Sequence, residues 1–184
     1  MSKSLFKKSD YNSSDGMLTT IWGPGMWHFL HTMSFNYPVK PTAEQKTHYK
    51  NYIYSLQKVL PCKYCRDNYF NNLKMAGISE KSFKNRTTFS RFIYKLHESV
   101  NKMLGKKSGL SYKEVKDRYE HFRSRCLNDD KIAAIQKARL EKGCTEPLYG
   151  KKSKCILKIV PSDEKIETFK MSAKCKIKRL CNKK

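Results

Sequence analysis

Apolar residues recur at three- and four-residue intervals from about Met26 to Phe122, so the pattern is helical rather than alternating. After Gly23-Pro24-Gly25, the spacing of Met26, Phe29, Leu30 and Met33 predicts a first helix. Trp27 and His31 lie four apart and share one of its faces. Pro38 and Pro41 make a turn, and Thr42 with Gln45 forms a capping-box signature. Tyr49, Tyr52, Ile53, Leu56, Val59 and Leu60 then mark a second helix that stops at Pro61. A third begins at Cys62 and runs through Phe70 and Leu73 to the stop at Gly77. The clearest stripe is Phe89, Phe92, Ile93, Leu96, Val100, Met103 and Leu104, closed by Gly105, with His97 and Asn101 beside it. Ser111 and Glu114 open a fifth helix carrying Val115, Tyr119 and Phe122, which we expect to end at Cys126. Asn128–Ile132 caps a short sixth that ends near Gly143. Past Gly150 the pattern changes. Cys155–Val160 is β-branched, Pro161–Glu164 is turn-like and Ile166–Met171 alternates, which predicts a small β-hairpin or an extended arm. Residues 1–18 read as a disordered arm and Lys174–Lys184 as a mobile tail.

The chemistry concentrates at Pro61-Cys62-Lys63-Tyr64-Cys65. A proline there places Cys62 at a helix N-terminus, where unpaired N–H groups and the helix dipole favour a thiolate. Two cysteines three apart on a first turn can close a small, exchangeable disulfide. Three readings compete for such a pair: zinc, a thioredoxin-like motif, and a flavin-linked dithiol on a helical bundle. Zinc modules bring a second close pair, and Cys126, Cys144, Cys155, Cys175 and Cys181 form none. A thioredoxin-like motif needs a preceding strand, whereas the residues before Cys62 read as helix. Trp27 and His31 are either a core ring with a rim imidazole or the wall of a planar cofactor. His97 and Asn101 are either a solvated polar pair or part of that wall.

The 184 residues make one domain with an appendage, and 39% hydrophobic with 12% aromatic residues suffices for a core. The formal charge of +23 bears on acidic partners and non-specific binding, nucleic acid included, and not on fold. Met1–Gly16 carries no apolar run and reads as no secretory signal. No stretch reaches the roughly 18 apolar residues of a membrane span. Seven cysteines without such a signal are unusual unless some are redox-active. We pair Cys126 with Cys144 as a structural staple. Cys155, Cys175 and Cys181 remain; a Cys155–Cys175 hairpin staple competes with a mobile Cys175/Cys181 shuttle.

Trp22, Trp27, Leu30 and His31, then Pro61, Cys62 and Cys65, then His97, Asn101 and Leu104, resemble in order and separation the Erv/ALR family of FAD-dependent sulfhydryl oxidases. The Trp-Gly-Pro opening looks most like the versions carried by large cytoplasmic DNA viruses. The resemblance covers about Ile21 to Cys126. It implies an all-α fold, a four-helix FAD-binding bundle with a crossing fifth helix, over a domain at 19–127, followed by a basic Cys-containing extension at 128–184. It implies Cys62 and Cys65 as the active disulfide, with Cys65 nearer the flavin and Cys62 the more exposed. Gly23, Trp27, His31, His97, Asn101, Lys106 and Tyr119 match cofactor-contacting positions, Tyr119 standing where many members have tryptophan. A further structural disulfide of many cellular members is missing, its positions being near Tyr94 and Ser111. The implied function is transfer of electrons from substrate dithiols through Cys62–Cys65 to FAD and O2, giving H2O2. Implied partners are a thioredoxin-like carrier or viral protein dithiols, and a second copy of the chain as homodimer. The implied location is the host cytoplasm and virion, or the mitochondrial intermembrane space for a cellular member; no metal is implied. The rival class is a non-enzymatic basic protein that binds zinc and nucleic acid.

Overall fold

The computed structural model describes residues 7–127, 143–164, 166 and 170–176. It divides into two compact units, Met1–Gly109 and Leu110–Lys184. The first holds α1 (Lys8–Asn12), α2 (Thr19–Asn36), α3 (Ala43–Val59), α4 (Lys63–Met75), a 3-10 turn at Glu80–Phe83 and α5 (Arg86–Met103). The second holds α6 (Tyr112–Glu120) and an antiparallel pair, β1 (Ser124–Leu127) with β2 (Gly143–Pro147). The all-α expectation holds apart from this small ribbon.

The helix ends follow local chemistry. Thr42 Oγ1 accepts from the Gln45 amide while Gln45 Oε1 accepts from the Thr42 amide, so the box at α3 is closed in both directions. Ser111 and Glu114 do the same at α6. Gly77 and Gly105 take positive φ, 76° and 65°, just past α4 and α5, where a side chain would be strained.

The core of the first unit joins α2 to α5 through Leu30, Tyr37, Ile53, Leu56, Leu73, Phe83, Phe89, Ile93 and Leu96. Its two buried phenols are satisfied: Tyr37 donates to the Phe83 carbonyl at 2.8 Å and Tyr69 to the Ile53 carbonyl at 2.9 Å. Tyr37 also packs edge-on against Tyr49, 4.6 Å between ring centres, which fixes the α2–α3 corner that Pro38 begins.

Several expectations need correction. Helix α2 begins at Thr19, ahead of Gly23-Pro24-Gly25, and carries Pro24 inside it. The Trp22 indole N–H donates to the Met17 carbonyl at 3.1 Å and anchors the turn that precedes the proline. The lead-in is not structureless: it forms α1, and Gly16 makes an antiparallel bridge with Cys62. The fifth helix stops at Glu120 because the His121 ring closes on the Asp117 carbonyl at 2.6 Å, and the chain then turns into β1, which carries Cys126. Gly143 opens β2 rather than ending a helix. The sixth helix expected at 128–142 lies outside the described residues, as does the tail at 177–184 with Cys181.

Cys155–Val160 is neither helix nor strand, which leaves the extended arm of the two alternatives for that run, while 165 and 167–169 lie outside the described residues. Ile156, Leu157 and Ile159 are exposed, so no facing element buries that run. The Lys151 amide instead donates to the Lys174 carbonyl, 3.1 Å away. The Cys155–Cys175 staple is likewise overturned, since both are free thiols. Cys144 is disulfide-bonded, and the strand register sets Arg125 against Glu146 and Leu127 against Gly143, which brackets the backbone of Cys126 across from it. The staple expected between Cys126 and Cys144 turns on the Cys126 side chain, which lies outside what the structure describes.

Candidate active site

Leu60, Pro61 and Cys62 form the corner between α3 and α4. The Leu60 amide closes α3 by donating to the Leu56 carbonyl, and the Cys62 amide turns back to the Leu60 carbonyl at 2.8 Å. Cys62 thus becomes the N-cap of α4, in extended conformation, and Cys65 lies on the first turn. The two are joined as a disulfide, with Cα atoms 5.2 Å apart. The Cys65 amide donates to Cys62 Sγ at 3.1 Å. After reduction, that N–H and the helix dipole favour negative charge on Cys62, the form needed for exchange.

The exposures run opposite to expectation. Cys62, implied to be the more exposed, is buried at 9%, while Cys65 is half-buried. The cause is the lead-in. The Met17 amide donates to the Pro61 carbonyl at 2.7 Å and the Lys63 amide to the Asp15 carbonyl at 2.7 Å, which lays this segment along the cysteine corner. Arg66 fastens both sides, donating to the Leu60 carbonyl at 2.6 Å and the Ser14 carbonyl at 2.9 Å. Sequence reasoning missed Arg66 and the segment. The only local signal was Gly16 between two larger residues.

A second cluster lies where α2 packs on α5. Trp27 and His97 stack, with ring centres 4.0 Å apart and planes 8° from parallel. His31 Nε2 and His97 Nδ1 are 3.0 Å apart, so one ring donates and the other accepts. Burial, then the neighbouring His97 and His28, pushes His31 down to about 3, and burial pushes His97 down to about 4. Both rings are therefore neutral near pH 7. The result is a flat, uncharged aromatic wall with hydrogen-bonding edges, which suits a planar heteroaromatic ring.

Asn101, one turn beyond His97, donates its side-chain amide to Glu98 at 3.1 Å. Its carbonyl accepts from the Lys106 amide at 2.8 Å, tying the exposed Lys106 to the end of α5. The structure thus brings Trp27, His31 and His97 into contact and joins Asn101 to Lys106. Gly23 is half-buried in α2, and a Cβ added there would meet nothing within 4 Å. Protein packing alone does not demand a glycine at that position. Tyr119 belongs to the second unit, on α6, where burial pushes its hydroxyl up to about 12.

The imidazoles make stability depend on pH. Their folded values lie below the ordinary 6.5, so the stability they contribute is present above about pH 6.5 and is lost as pH falls toward 4 and 3. By about pH 5 the unfolded chain gains roughly 2 kcal/mol per histidine from protonation that the folded chain does not. Urea unfolding between pH 6.5 and 5 should show this decline, and His31→Gln should remove part of it (roughly, a window above most carboxylate titrations). Equal slopes for the two proteins would mean that His31 titrates normally.

The sequence profile of the Erv1 / Alr family matches residues 24–120, just over half of the chain. The chain belongs to the Erv1/Alr family. The matched span takes in the Cys62–Cys65 pair, the α2–α5 wall and Tyr119. A probable FAD-linked sulfhydryl oxidase of Acanthamoeba polyphaga mimivirus is 34% identical over 94 residues, covering 51% of this chain and 65% of the relative. The FAD-linked sulfhydryl oxidase ERV1 of Arabidopsis thaliana is 34% identical over 110 residues, 57% of this chain and 54% of the relative. An FAD-linked sulfhydryl oxidase of African swine fever virus is 30% identical over 99 residues, 54% of this chain and 80% of the relative. The chain thus spans less than two thirds of the length of the mimivirus and Arabidopsis relatives. The fold agrees with that of the FAD-binding domain of Erv1 from Saccharomyces cerevisiae, at a TM-score of 0.50 and 23% identity over 56% of this chain and 94% of that one. Relatives of this Erv1/Alr chain thus include viral and mitochondrial proteins. Among its described residues, no helix is long and apolar enough to cross a membrane.

Proposed function

We propose that this chain is an FAD-dependent sulfhydryl oxidase, which forms disulfide bonds in substrate dithiols with O2 as the final acceptor and H2O2 as product. The observation that carries this reading is the disulfide at the N-terminus of α4, in the same helical unit as the Trp27–His31–His97 wall. The oxidase domain is read as 19–127, with 128–184 as its basic extension.

The residues present fit the cofactor. Trp27, His31 and His97 offer an uncharged aromatic surface for the flat ring, with Gly23 leaving room on α2. Lys106, held to Asn101, supplies positive charge for the diphosphate, and Asn101 a polar edge. When bound, FAD supplies the acceptor for an electron pair and its passage to dioxygen.

The chain's own chemistry is thiol–disulfide exchange. A substrate thiolate attacks Cys62 Sγ, the Cys62–Cys65 bond breaks, and Cys65 leaves as a thiolate. The second substrate thiolate then attacks the mixed disulfide and releases Cys62, whose charge the Cys65 amide and the end of α4 receive. The substrate leaves as a disulfide, and the Cys62–Cys65 pair holds the two electrons.

The zinc-binding alternative is not favoured, because the two sulfurs are bonded to each other and no further close pair accompanies them. The substrate is a thioredoxin-like carrier or the dithiols of viral proteins. Exposed Phe29 and Tyr54, on α2 and α3, support a homodimer through these two helices. The viral relatives favour the host cytoplasm over the mitochondrial intermembrane space. The test is direct: purified protein should be yellow, absorbing near about 450 nm as bound flavins do, and should consume oxygen when given a dithiol. Colourless protein holding one zinc per chain would overturn the assignment.

A further inference from the structure

The segment Ser14–Met17 lies along the Pro61–Lys63 corner that carries Cys62. Gly16 pairs with Cys62 as in an antiparallel sheet, with the flanking hydrogen bonds running from Met17 N–H to Pro61 O and from Lys63 N–H to Asp15 O. This contact is made by backbone, so an extended chain seated slightly further out, with room for a side chain opposite Cys62, could replace it. It is also built for close approach. Gly16 has φ +113°, and a Cβ there would stand 2.6 Å from the Pro61 carbonyl oxygen and 2.8 Å from Cys62 Cα. The strap is held by few groups: these two hydrogen bonds, the Arg66 contact to Ser14 O, and the Trp22 contact to Met17 O. Residues 14–17 themselves are exposed, so no core burial holds them down.

We propose that Ser14–Met17 is a displaceable strap, and that the Pro61–Lys63 edge beneath it is the docking site for an extended, cysteine-bearing segment of the substrate. The substrate strand takes the strap's place, accepts from the Lys63 amide, donates to the Pro61 carbonyl, and presents its sulfur to Cys62 Sγ. Arg66, released from Ser14, is free to bond a carbonyl of the incoming chain. The exchange is the one already balanced: the substrate sulfur bonds to Cys62 and Cys65 leaves. This inference rests on the oxidase reading for its substrate class, but the contact itself can be tested without flavin.

Two measurements on the full-length chain test it. The first compares reduction of the Cys62–Cys65 disulfide by dithiothreitol in the unmodified protein and in Gly16→Val, quantified by alkylation and mass spectrometry. Loss of the two backbone hydrogen bonds should speed reduction about tenfold. An unchanged rate would overturn the strap. The second traps a short peptide, its one central cysteine activated as a mixed disulfide with thionitrobenzoate, on the Cys62 thiolate of Cys65→Ser, which releases thionitrobenzoate, and follows amide hydrogen exchange. Protection should be lost at Met17 and kept at Lys63, now bonded to the peptide. Continued protection of Met17 would show that a substrate binds without moving the strap, and loss at both amides would show that the edge is not reused. Neither measurement needs bound FAD. Protein without flavin would thus remove the oxidase assignment while leaving the strap to stand or fall by itself.

Discussion

Cys65→Ser is expected to lower dithiol-driven oxygen consumption by roughly a hundredfold or more while the flavin stays bound. The two sulfurs form one disulfide at the start of α4, and each has a task the other cannot take over. Without Cys65 there is no disulfide for a substrate thiolate to open, so Cys62 stays a thiol and takes no electron pair from the substrate. Cys62→Ser leaves Cys65 without the sulfur that exchanges with substrate, so its activity should fall equally far. The wall of Trp27, His31 and His97 is made by α2 and α5 and touches neither mutation, so flavin absorbance per chain should be unchanged. The measurement is oxygen uptake with a small dithiol, normalised to flavin. More than a few per cent of activity in both single variants would place the active dithiol elsewhere. Activity lost together with flavin would instead make the pair a structural clasp.

What could be read ahead of the structure was whatever local chemistry determines. The boxes at Thr42–Gln45 and Ser111–Glu114 and the stops at Gly77 and Gly105 are each decided within a few residues, and each stands where expected. The placement of Trp27 with His31, and of His97 one turn before Asn101, follows from helical spacing. Their meeting across α2 and α5 came from the family resemblance and not from the spacing. The failures share a different cause. Gly16 finds its partner at Cys62, and β1 finds its partner in β2 beyond residues 128–142, so neither pairing leaves a local signature. Pro24 misplaced the start of α2 because a proline inside a helix is costly on average. Here the Trp22 indole and the Met17 carbonyl, a side chain meeting a distant-looking backbone, secure the turn around it. The resemblance also misjudged Cys62, because its exposure depends on a lead-in that carries none of the family motifs.

The second large effect concerns the wall. His97→Ala combined with Asn101→Ala is expected to release most of the FAD and to lower the thermal midpoint of the purified protein. His97 stacks on Trp27 at 4.0 Å and shares a hydrogen bond with His31, so its loss removes one aromatic surface and leaves the His31 edge without that partner. Asn101 contributes its side-chain amide, now bonded to Glu98, as the polar group next to the Lys106 corner. The Asn101 carbonyl that holds the Lys106 amide is backbone, so alanine leaves the turn itself in place. A ligand bound only to the folded state adds RT ln(1 + [L]/Kd), about 2.7 kcal/mol at a hundredfold excess over Kd, and this contribution disappears with it. The effect is separable from direct damage to the fold. Adding free FAD should raise the midpoint of the unmodified apoprotein strongly and that of the double variant little, whatever the apoprotein midpoint loses with the His97 ring. Full flavin content in the double variant would reduce His97 and Asn101 to a polar pair at the end of α5, and the cofactor would have to be held by Trp27 and other residues of α2.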